Sequence, residues 1–411
     1  MKADDGTWRI TGQKIYITWG EHDMADNIVH LVLARVDGSP AGTKGISCFI
    51  VPKYLPNADG TPGTLNDVRL VSTEHKMGIH ASPTCVLAFG DGGAGAVGEL
   101  VGELDTGMRT MFVMMNTARL AVGQQGLSLA ERAYQHAVAH ATTRVQGRPI
   151  GGALTDPIVG HPDIRRMLMT MRSQIEAMRH LIFLNARAID ETRHGGTPQE
   201  RAAGQELADL LTPLSKAWCT DLGNELCSLA VQIHGGMGFC EDTGVSQLYR
   251  DVRIAAIYEG TNGIQALDLY GRKLGLRGGA AVADLIGRMR TDLTPLAQTD
   301  AELARRLAAA IDTMEALTKW MLGPGRQSAV DGMSGATPYL RVVATVVGGW
   351  LMGKQAVVAA ASPADPYAAA KLATSEFYMG QILSTIDGLT QQVTAGAEQL
   401  FAIPVEQLAS Q

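Results

Sequence analysis

The first hundred residues alternate short runs of branched apolar residues with turn residues, which is typical of β-strands joined by tight turns. Glycine, proline, asparagine and aspartate supply those turns, for example at 37–40 and 57–60. Because no helical period intervenes, residues 1–104 are predicted to form an antiparallel β-sandwich or barrel domain. The predicted strands are 7–11, 14–18, 28–36, 46–51, 68–72 and 84–89.

From residue 105 the apolar positions recur with the period of an α-helix. Pro213 is expected to kink one of these helices, and the glycines at 275–279 indicate a linker. The chain is therefore predicted to be α+β, with a helical bundle domain at 105–275 and an additional C-terminal helical domain at 282–411. The predicted helices are 105–139, 161–193, 199–234, 262–274, 303–322, 339–361 and 367–400.

Composition places the chain among globular proteins. Of its 411 residues 46% are hydrophobic, which is enough apolar material for two or three cores. The formal net charge of -6 disfavours nucleic acid as a partner. We find no apolar run long enough to cross a bilayer and no signal peptide, so we expect no membrane span.

The cysteines bear on the compartment of the protein. They show no CxxC spacing, and their odd number leaves no disulfide framework. Reduced thiols and a cytoplasmic location are therefore expected. The cysteines are Cys48, Cys85, Cys219, Cys227 and Cys240.

One carboxylate, Glu259, stands between the apolar run 254–257 and Gly260, and a helix-start signal follows at Thr261 and Asn262. Two interpretations fit this stretch. A carboxylate in poorly solvated surroundings can act as a base toward a weak carbon acid. Alternatively, Glu259 caps a helix N-terminus, where acidic residues are common and stabilising. The spacing alone favours the cap.

A glycine motif at 93–98 spells GxGxxG, the dinucleotide fingerprint, after a predicted strand. It would make the protein a nicotinamide dehydrogenase. However, residues 99–104 do not form a convincing helix, and no acidic residue stands about 20 positions further on to bind the ribose. We therefore interpret the motif as a flexible loop.

The histidines raise the question of a metal site. His22, His75 and His80 lack close ligand spacing. His136 and His140 are four apart on a predicted helix, but the HExxH pattern is absent. We predict structural or solvated histidines and no metal.

The segment 248–254, Leu-Tyr-Arg-Asp-Val-Arg-Ile, runs into Tyr258-Glu259-Gly260-Thr261-Asn262. Together they resemble the signature of the acyl-CoA dehydrogenase family, in which the Glu of the Glu-Gly-Thr triplet is the catalytic base. Further matches occur in family order over essentially the whole chain. The resemblance is strongest to the branch that acts on 3-methylmercaptopropionyl-CoA and similar thioesters, which carries an extra C-terminal helical domain.

The resemblance implies that the helices of 105–275 form a four-helix bundle and that the cofactor is FAD. An aromatic and a hydroxyl residue two apart on strand 12–18 would share one face beside the isoalloxazine ring. The arginine turn at 142–149 and the Gln-x-x-Gly-Gly segment at 232–236 would contact the FAD of a neighbouring subunit. The residues assigned to FAD are Tyr16, Thr18, Arg144, Gln146, Gln232, Gly235, Gly236 and Thr261.

The implied reaction is α,β-dehydrogenation of an acyl-CoA thioester in fatty acid β-oxidation, with Glu259 as the base. Asn116 and Arg119, three apart on one predicted helix face, would hold the coenzyme A moiety. An electron-transfer flavoprotein would accept the electrons, and a homodimer or a dimer of dimers is expected. The alternative is a flavin-free helper or interaction subunit with the same fold.

The chain also departs from the family pattern. Family members begin with an all-helical domain, the first β-strands and a Thr-Glu-Pro-x-x-Gly-Ser-Asp loop that holds the flavin, and the present sequence matches only the part of the pattern after that loop. Residues 1–104 would then be the middle β domain without its start. We expect this chain alone to bind FAD weakly or not at all, to show little activity and to aggregate. Gly263 replaces a longer side chain that reaches FAD in many relatives.

Overall fold

The structure is a computed structural model that describes residues 1–409. Within that range the chain divides into two compact units, Met1–Thr117 and the remainder from Ala118 onward. The first unit contains every strand of the described residues. These strands are β1 (Trp8–Ile10), β2 (Gly12–Thr18), β3 (Val29–Arg35), β4 (Ile46–Pro52), β5 (Tyr54–Pro56), β6 (Pro62–Leu65), β7 (Val68–Thr73), β8 (Thr84–Phe89) and β9 (Ala96–Val101).

The first unit is an antiparallel sandwich. Strands β1, β9, β4 and β3 form one sheet in that order, β2, β8 and β7 form a second, and β5 pairs with β6 in a short hairpin. Both larger sheets contribute to one core, in which Trp8 and Phe49 from the first sheet cluster with Leu87 from the second. All six predicted strands and the antiparallel fold class are confirmed.

The prediction of a flexible loop at 93–98 is wrong for residues 96–98. Residues Ala96–Val101 form β9, which pairs with β1 and β4 inside the first sheet. Gly98 permits this position, because a Cβ there would lie 2.8 Å from Ile10 Cδ1. Since a strand comes after the glycines, no helix N-terminus is available there for a dinucleotide phosphate.

The helices follow the predicted order. The ends of the three long bundle helices differ by a few residues from the predicted ranges 105–139, 161–193 and 199–234. The helices are α1 (Gly107–Thr143), α2 (Pro162–His194), α3 (Pro198–His234), α4 (Val245–Val252), α5 (Asn262–Asp268), α6 (Ala280–Thr291), α7 (Leu293–Thr299), α8 (Ala301–Leu322), α9 (Pro324–Gln327), α10 (Ala329–Ser334), α11 (Ala336–Ala360), α12 (Pro366–Phe377), α13 (Ile386–Thr394) and α14 (Val405–Leu408).

Helix α3 is the central element of the second unit. A capping box of Thr197 and Glu200 fixes its start, and the helix continues through Pro213. Helix α1 approaches α3 at Gly123, where a Cβ would lie 2.4 Å from the backbone oxygen of Ser215. The glycine therefore allows backbone-to-backbone packing of the two helices.

Two details of the C-terminal helices differ from expectation. The predicted helix 367–400 is broken by a π-turn at Tyr378–Ile382 and ends as an α-helix at Thr394. Helix α11, in turn, is long and apolar enough to cross a membrane by length and composition, contrary to our expectation that no such run exists. However, 78% of its most apolar window is buried inside the protein. That burial is typical of a core helix.

Candidate active site

The central feature is a strained turn between two helical segments. Residues Arg253–Ala256 form a 3-10 helix, and α5 begins at Asn262 with the Thr261 hydroxyl accepting the Ile264 N–H at 3.3 Å. Between them Glu259 has φ +57°, in the left-handed region that side-chain-bearing residues rarely adopt. Strain of this kind persists where the surrounding structure enforces it, and it is concentrated at functional sites.

The buried side chain of Gln265 supports this turn from behind. Its Nε2 donates to the Gly260 carbonyl at 3.3 Å and, more weakly, to the Glu259 carbonyl at 3.5 Å. A Cβ at residue 260 would lie 2.9 Å from that Nε2, and Gly260 has φ +83°. Only glycine meets both conditions without strain.

Arg119 lies under the same turn. It is only 4% exposed, and its Nη1 lies 3.6 Å from Asp268 Oδ2. Its Nη2 would be 3.9 Å from a Cβ at residue 260. Two buried atoms here, Arg119 Nε and Gln265 Oε1, have no hydrogen-bond partner within the described part of the protein. Because buried polar atoms are normally paired, these two have unused capacity for a bound molecule.

A buried lysine of α3 holds the start of α5. Lys216 is fully buried, and its Nζ donates to Asn262 Oδ1 at 2.8 Å. The Asn262 amide donates to Asp221 Oδ1 at 2.6 Å and to Thr220 Oγ1 at 3.0 Å. Burial lowers the pKa of Lys216 to about 8, and the negative charges of Asp221 and Glu259 oppose that shift.

Tyr258 anchors the chain directly before Glu259. Its hydroxyl donates to the side-chain oxygen of Gln125 on α1. Burial raises the pKa of Tyr258, and the neighbouring Glu259 charge adds to the effect. The phenol therefore stays neutral and serves as a donor near neutral pH.

An open polar cleft of about 800 Å³ borders the turn on the side of Thr261, Asn262 and Gly263. Arg341 of α11 lines it and binds Glu225 of α3 through two hydrogen bonds of 2.7 and 2.9 Å. The C-terminal helices thus contribute a side chain to the surroundings of the turn.

A second group of predicted residues lies where α1 and α3 end. Arg144 is exposed, and its Nη2 lies 3.5 Å from Gln146 Oε1. The rings of His140 and His234 stack with centroids 4.3 Å apart, which brings the two helix ends together. Near the end of α3 the side chain of Gln232 is exposed, and so are Gly235 and Gly236.

The glycine backbone at this second group is accessible. Gly235 has φ +62°, and a Cβ at Gly235 or Gly236 would meet no atom within 4 Å. Burial lowers the pKa values of the nearby His136 and His140, which favours their neutral forms. Across residues 1–409 no group of three His, Cys, Asp or Glu side chains is arranged to hold a metal ion.

The remaining predicted residues belong to the first unit. A β-bulge between Lys14 and Ile17 interrupts the regular alternation of β2. Tyr16 lies in the bulge with φ +58° and is 68% exposed, and Thr18 is exposed as well. Bulges re-aim side chains and are frequent beside active sites. Asn116 is half-buried on α1.

Sequence reasoning missed the supports of the turn, namely Lys216, Gln265 and Asp268. A signal for Lys216 was present, since it is the charged residue in the otherwise uncharged stretch 210–220 of a buried helix. Gln265 and Asp268 are three apart and share a helix face, but nothing in the sequence says that this face meets Arg119.

Comparison with known proteins places this arrangement in context. Residues 105–274 match the family described as "Acyl-CoA dehydrogenase, C-terminal domain", and residues 285–404 match "Acetyl-CoA dehydrogenase C-terminal like". The chain is 43% identical to 3-methylmercaptopropionyl-CoA dehydrogenase from Ruegeria pomeroyi. That alignment covers 98% of this chain and 69% of the relative. It is 34% identical to a butyryl-CoA dehydrogenase from Syntrophomonas wolfei, in an alignment that covers 98% of this chain and 68% of that relative.

Solved structures share the fold. Caenorhabditis elegans ACDH-11 in complex with C11-CoA superposes with a TM-score of 0.78 at 21% identity, covering 98% of this chain and 65% of that one. A Bacillus anthracis acyl-CoA dehydrogenase complexed with FAD gives a TM-score of 0.75 at 21% identity, covering 95% and 65%. The chain therefore spans about two thirds of the length of these proteins.

Proposed function

Because the chain belongs to the acyl-CoA dehydrogenase family, we propose that it dehydrogenates an acyl-CoA thioester between Cα and Cβ with FAD as cofactor. The observation that carries the proposal is the strained turn at Glu259. A half-buried carboxylate is held there in the left-handed region by Gln265 and Gly260. A fixed carboxylate suits proton abstraction from a positioned carbon acid.

The chain supplies the base and its surroundings. Glu259 takes the proton from Cα, and the proton stays on its carboxyl oxygen until solvent exchange removes it. The Glu259 backbone N–H is the proposed donor to the thioester carbonyl, where negative charge develops. Asn116 and Arg119 are proposed to face the coenzyme A thioester, and Arg119 Nε has an unused hydrogen bond for that purpose.

FAD fits the residues assigned to it. The accessible backbone of Gly235 and Gly236 and the exposed guanidinium of Arg144 suit a pyrophosphate and its adenosine. The exposed bulge at Tyr16 suits a flat ring system, and the exposed Thr18 offers it a hydroxyl. Thr261, in the second unit, is assigned to FAD on the family resemblance. Bound FAD would supply a hydride acceptor for the hydrogen on Cβ.

The substrate class follows from the relatives. A sequence 43% identical to a 3-methylmercaptopropionyl-CoA dehydrogenase supports a short thioether acyl chain, with butyryl-CoA as the simplest analogue. We further propose a cytoplasmic enzyme of β-oxidation chemistry that passes electrons to an electron-transfer flavoprotein. All five cysteines are free and four are buried, which agrees with a reducing compartment.

Mass spectrometry of the product tests the activity. Incubation of the FAD-loaded protein with 3-methylmercaptopropionyl-CoA and an artificial electron acceptor is expected to give a thioester lighter by two hydrogens. Substrate deuterated at Cα should lose one deuteron to solvent through Glu259. A product of unchanged mass from both this substrate and butyryl-CoA would contradict the proposal.

Replacing Arg144 with glutamine is expected to weaken FAD binding by roughly tenfold to a hundredfold. The reason is the loss of a charge-assisted hydrogen bond to phosphate, worth about 1.5–3 kcal/mol. Isothermal titration of FAD into the protein measures the effect. Arg187→Gln, which removes an exposed arginine paired with Glu191 on α2, is the matched control and should leave the affinity unchanged. Equal affinities in both variants would remove Arg144 from the cofactor site.

A homodimer or a dimer of dimers is also proposed, because Arg144 and the glycines at 235–236 are exposed on this chain and resemble residues that reach a neighbour's cofactor. Light scattering of the FAD-loaded protein should give at least twice the chain mass. Tight FAD binding by a monomer would refute this part of the proposal.

A further inference from the structure

Lys216 is a buried cation close to the Glu259 turn that the family resemblance does not explain. It lies in the middle of α3 and is fully buried, whereas lysines are almost never buried without a functional or structural reason. Its Nζ makes a 2.8 Å hydrogen bond to Asn262, the first residue of α5. Through Asn262 it is joined to the backbone that leaves the turn.

The hydrogen bonds around Asn262 make the link rigid. Besides the contact with Lys216, the Asn262 amide donates to the backbone oxygen of Ala217 at 3.1 Å and to Asp221 Oδ1 at 2.6 Å. All these partners lie on α3. The side chain of Asn262 therefore links α5 and the turn before it to α3. Lys216 is a hydrogen-bond donor to its side-chain oxygen.

The charges that face Lys216 come from three elements. Arg119 on α1 disfavours its protonation, while Asp221 on α3 and Glu259 on the turn favour it. Asp221 is half-buried; desolvation raises its pKa, and the hydrogen bond from Asn262 and the charge of Arg341 act against that shift.

We propose that Lys216 is a positioning residue for the base: through its hydrogen bond to Asn262 it fixes the start of α5, and with it the turn that carries Glu259. The inference rests on the proposed function, since it assigns Lys216 to the same proton transfer.

Lys216→Met tests it, because methionine fills a similar volume without the charge or the hydrogen bond. Flavin bleaching by 3-methylmercaptopropionyl-CoA should slow roughly tenfold or more through misplacement of the base. The thioester concentration that gives half of the maximal bleaching rate should stay near that of the wild type, because the variant removes no group assigned to coenzyme A. A lysine that only stabilised the fold would leave the bleaching rate of the folded protein unchanged.

Two further variants test the link. Asn262→Ala keeps the lysine and removes its hydrogen-bond acceptor, so bleaching should slow by a similar factor. Lys273→Met is the matched control: Lys273 also joins α3 to the segment after α5, through Asp209 at 2.8 Å, but it lies away from the turn. This control should leave the bleaching rate unchanged. A bleaching rate of Lys216→Met equal to that of Lys273→Met would overturn the inference.

A measurement that needs no substrate completes the test. Burial lowers the pKa of Lys216 from 10.5 to about 8, so between about pH 8 and 10 the unfolded chain holds one more proton than the folded one. The wild type should therefore gain stability relative to Lys216→Met as the pH rises through that window, by up to about tenfold in the unfolding constant per pH unit. A pH-independent difference would refute a buried charge at Lys216.

The proposed function and the role of Lys216 fail in different ways. If the FAD-loaded wild type does not bleach, the proposed function itself is wrong, and if Glu259→Gln still bleaches at a normal rate, the assignment of the base is wrong. If Glu259→Gln is inactive while Lys216→Met behaves as the Lys273→Met control does, only the inference about Lys216 is wrong.

Discussion

Replacing Glu259 with glutamine is expected to slow flavin bleaching by an acyl-CoA substrate by about 10² to 10⁴. Glutamine keeps the size of the side chain but cannot accept the Cα proton. Binding of FAD and of the thioester should remain nearly unchanged, because Gln265 and Gly260 hold the backbone of the turn independently of the carboxylate. Stopped-flow absorbance after anaerobic mixing measures the rate.

Two companion variants calibrate this result. Glu259→Asp retains a carboxylate but withdraws it by one methylene, so an intermediate rate is expected. Glu191→Gln removes an exposed carboxylate of α2 that pairs with Arg187, and it should bleach as the wild type does. Near-normal bleaching by Glu259→Gln would end the assignment of the base.

Replacing Trp218 with alanine is expected to destabilise the second unit by about 3–5 kcal/mol. Trp218 is 2% exposed at the centre of α3, and a Cβ at Gly348 of α11 would lie 3.1 Å from its ring. The indole therefore fills the space between the bundle and the C-terminal helices. Denaturant unfolding followed by circular dichroism measures the loss.

The same experiment asks whether these helices unfold together. Buried residues from Leu127 to Val393 form a single hydrophobic cluster, so one cooperative transition is expected in both wild type and variant. Phe183→Ala is the control, because Phe183 is 64% exposed and its removal should cost little. A loss below about 1 kcal/mol for Trp218→Ala would show that α3 and α11 do not share a core.

Much of the fold is legible in the sequence because its signals are local. Alternating apolar runs located six strands, and the helical period located the long helices. Strand β9 was not predicted, because the glycines at its start are typical of a loop. In the structure Gly98 allows Ile10 to pack closely against the strand. The last helix is broken at Tyr378–Ile382, a π-turn with no Gly-Pro punctuation to announce it.

The candidate site could be predicted only in part, because several of its residues are far apart in the sequence. Glu259, Gly260 and Thr261 are adjacent in the chain, so one stretch of sequence contains the turn. The supports of the turn come from distant positions: Arg119 is 140 residues before Glu259 and Lys216 is 43 before it. Likewise, the bulge at Tyr16 inserts one extra residue into β2, and simple alternation does not reveal it.

Above all, we propose that this chain carries a flavin-dependent site whose base removes the α proton of an acyl-CoA. The most direct test is an anaerobic titration of the FAD-loaded protein with 3-methylmercaptopropionyl-CoA, followed by visible absorbance. We predict that the flavin band bleaches in proportion to the thioester added and returns when an electron acceptor is supplied. Loaded flavin that neither this thioester nor butyryl-CoA bleaches would contradict the proposal.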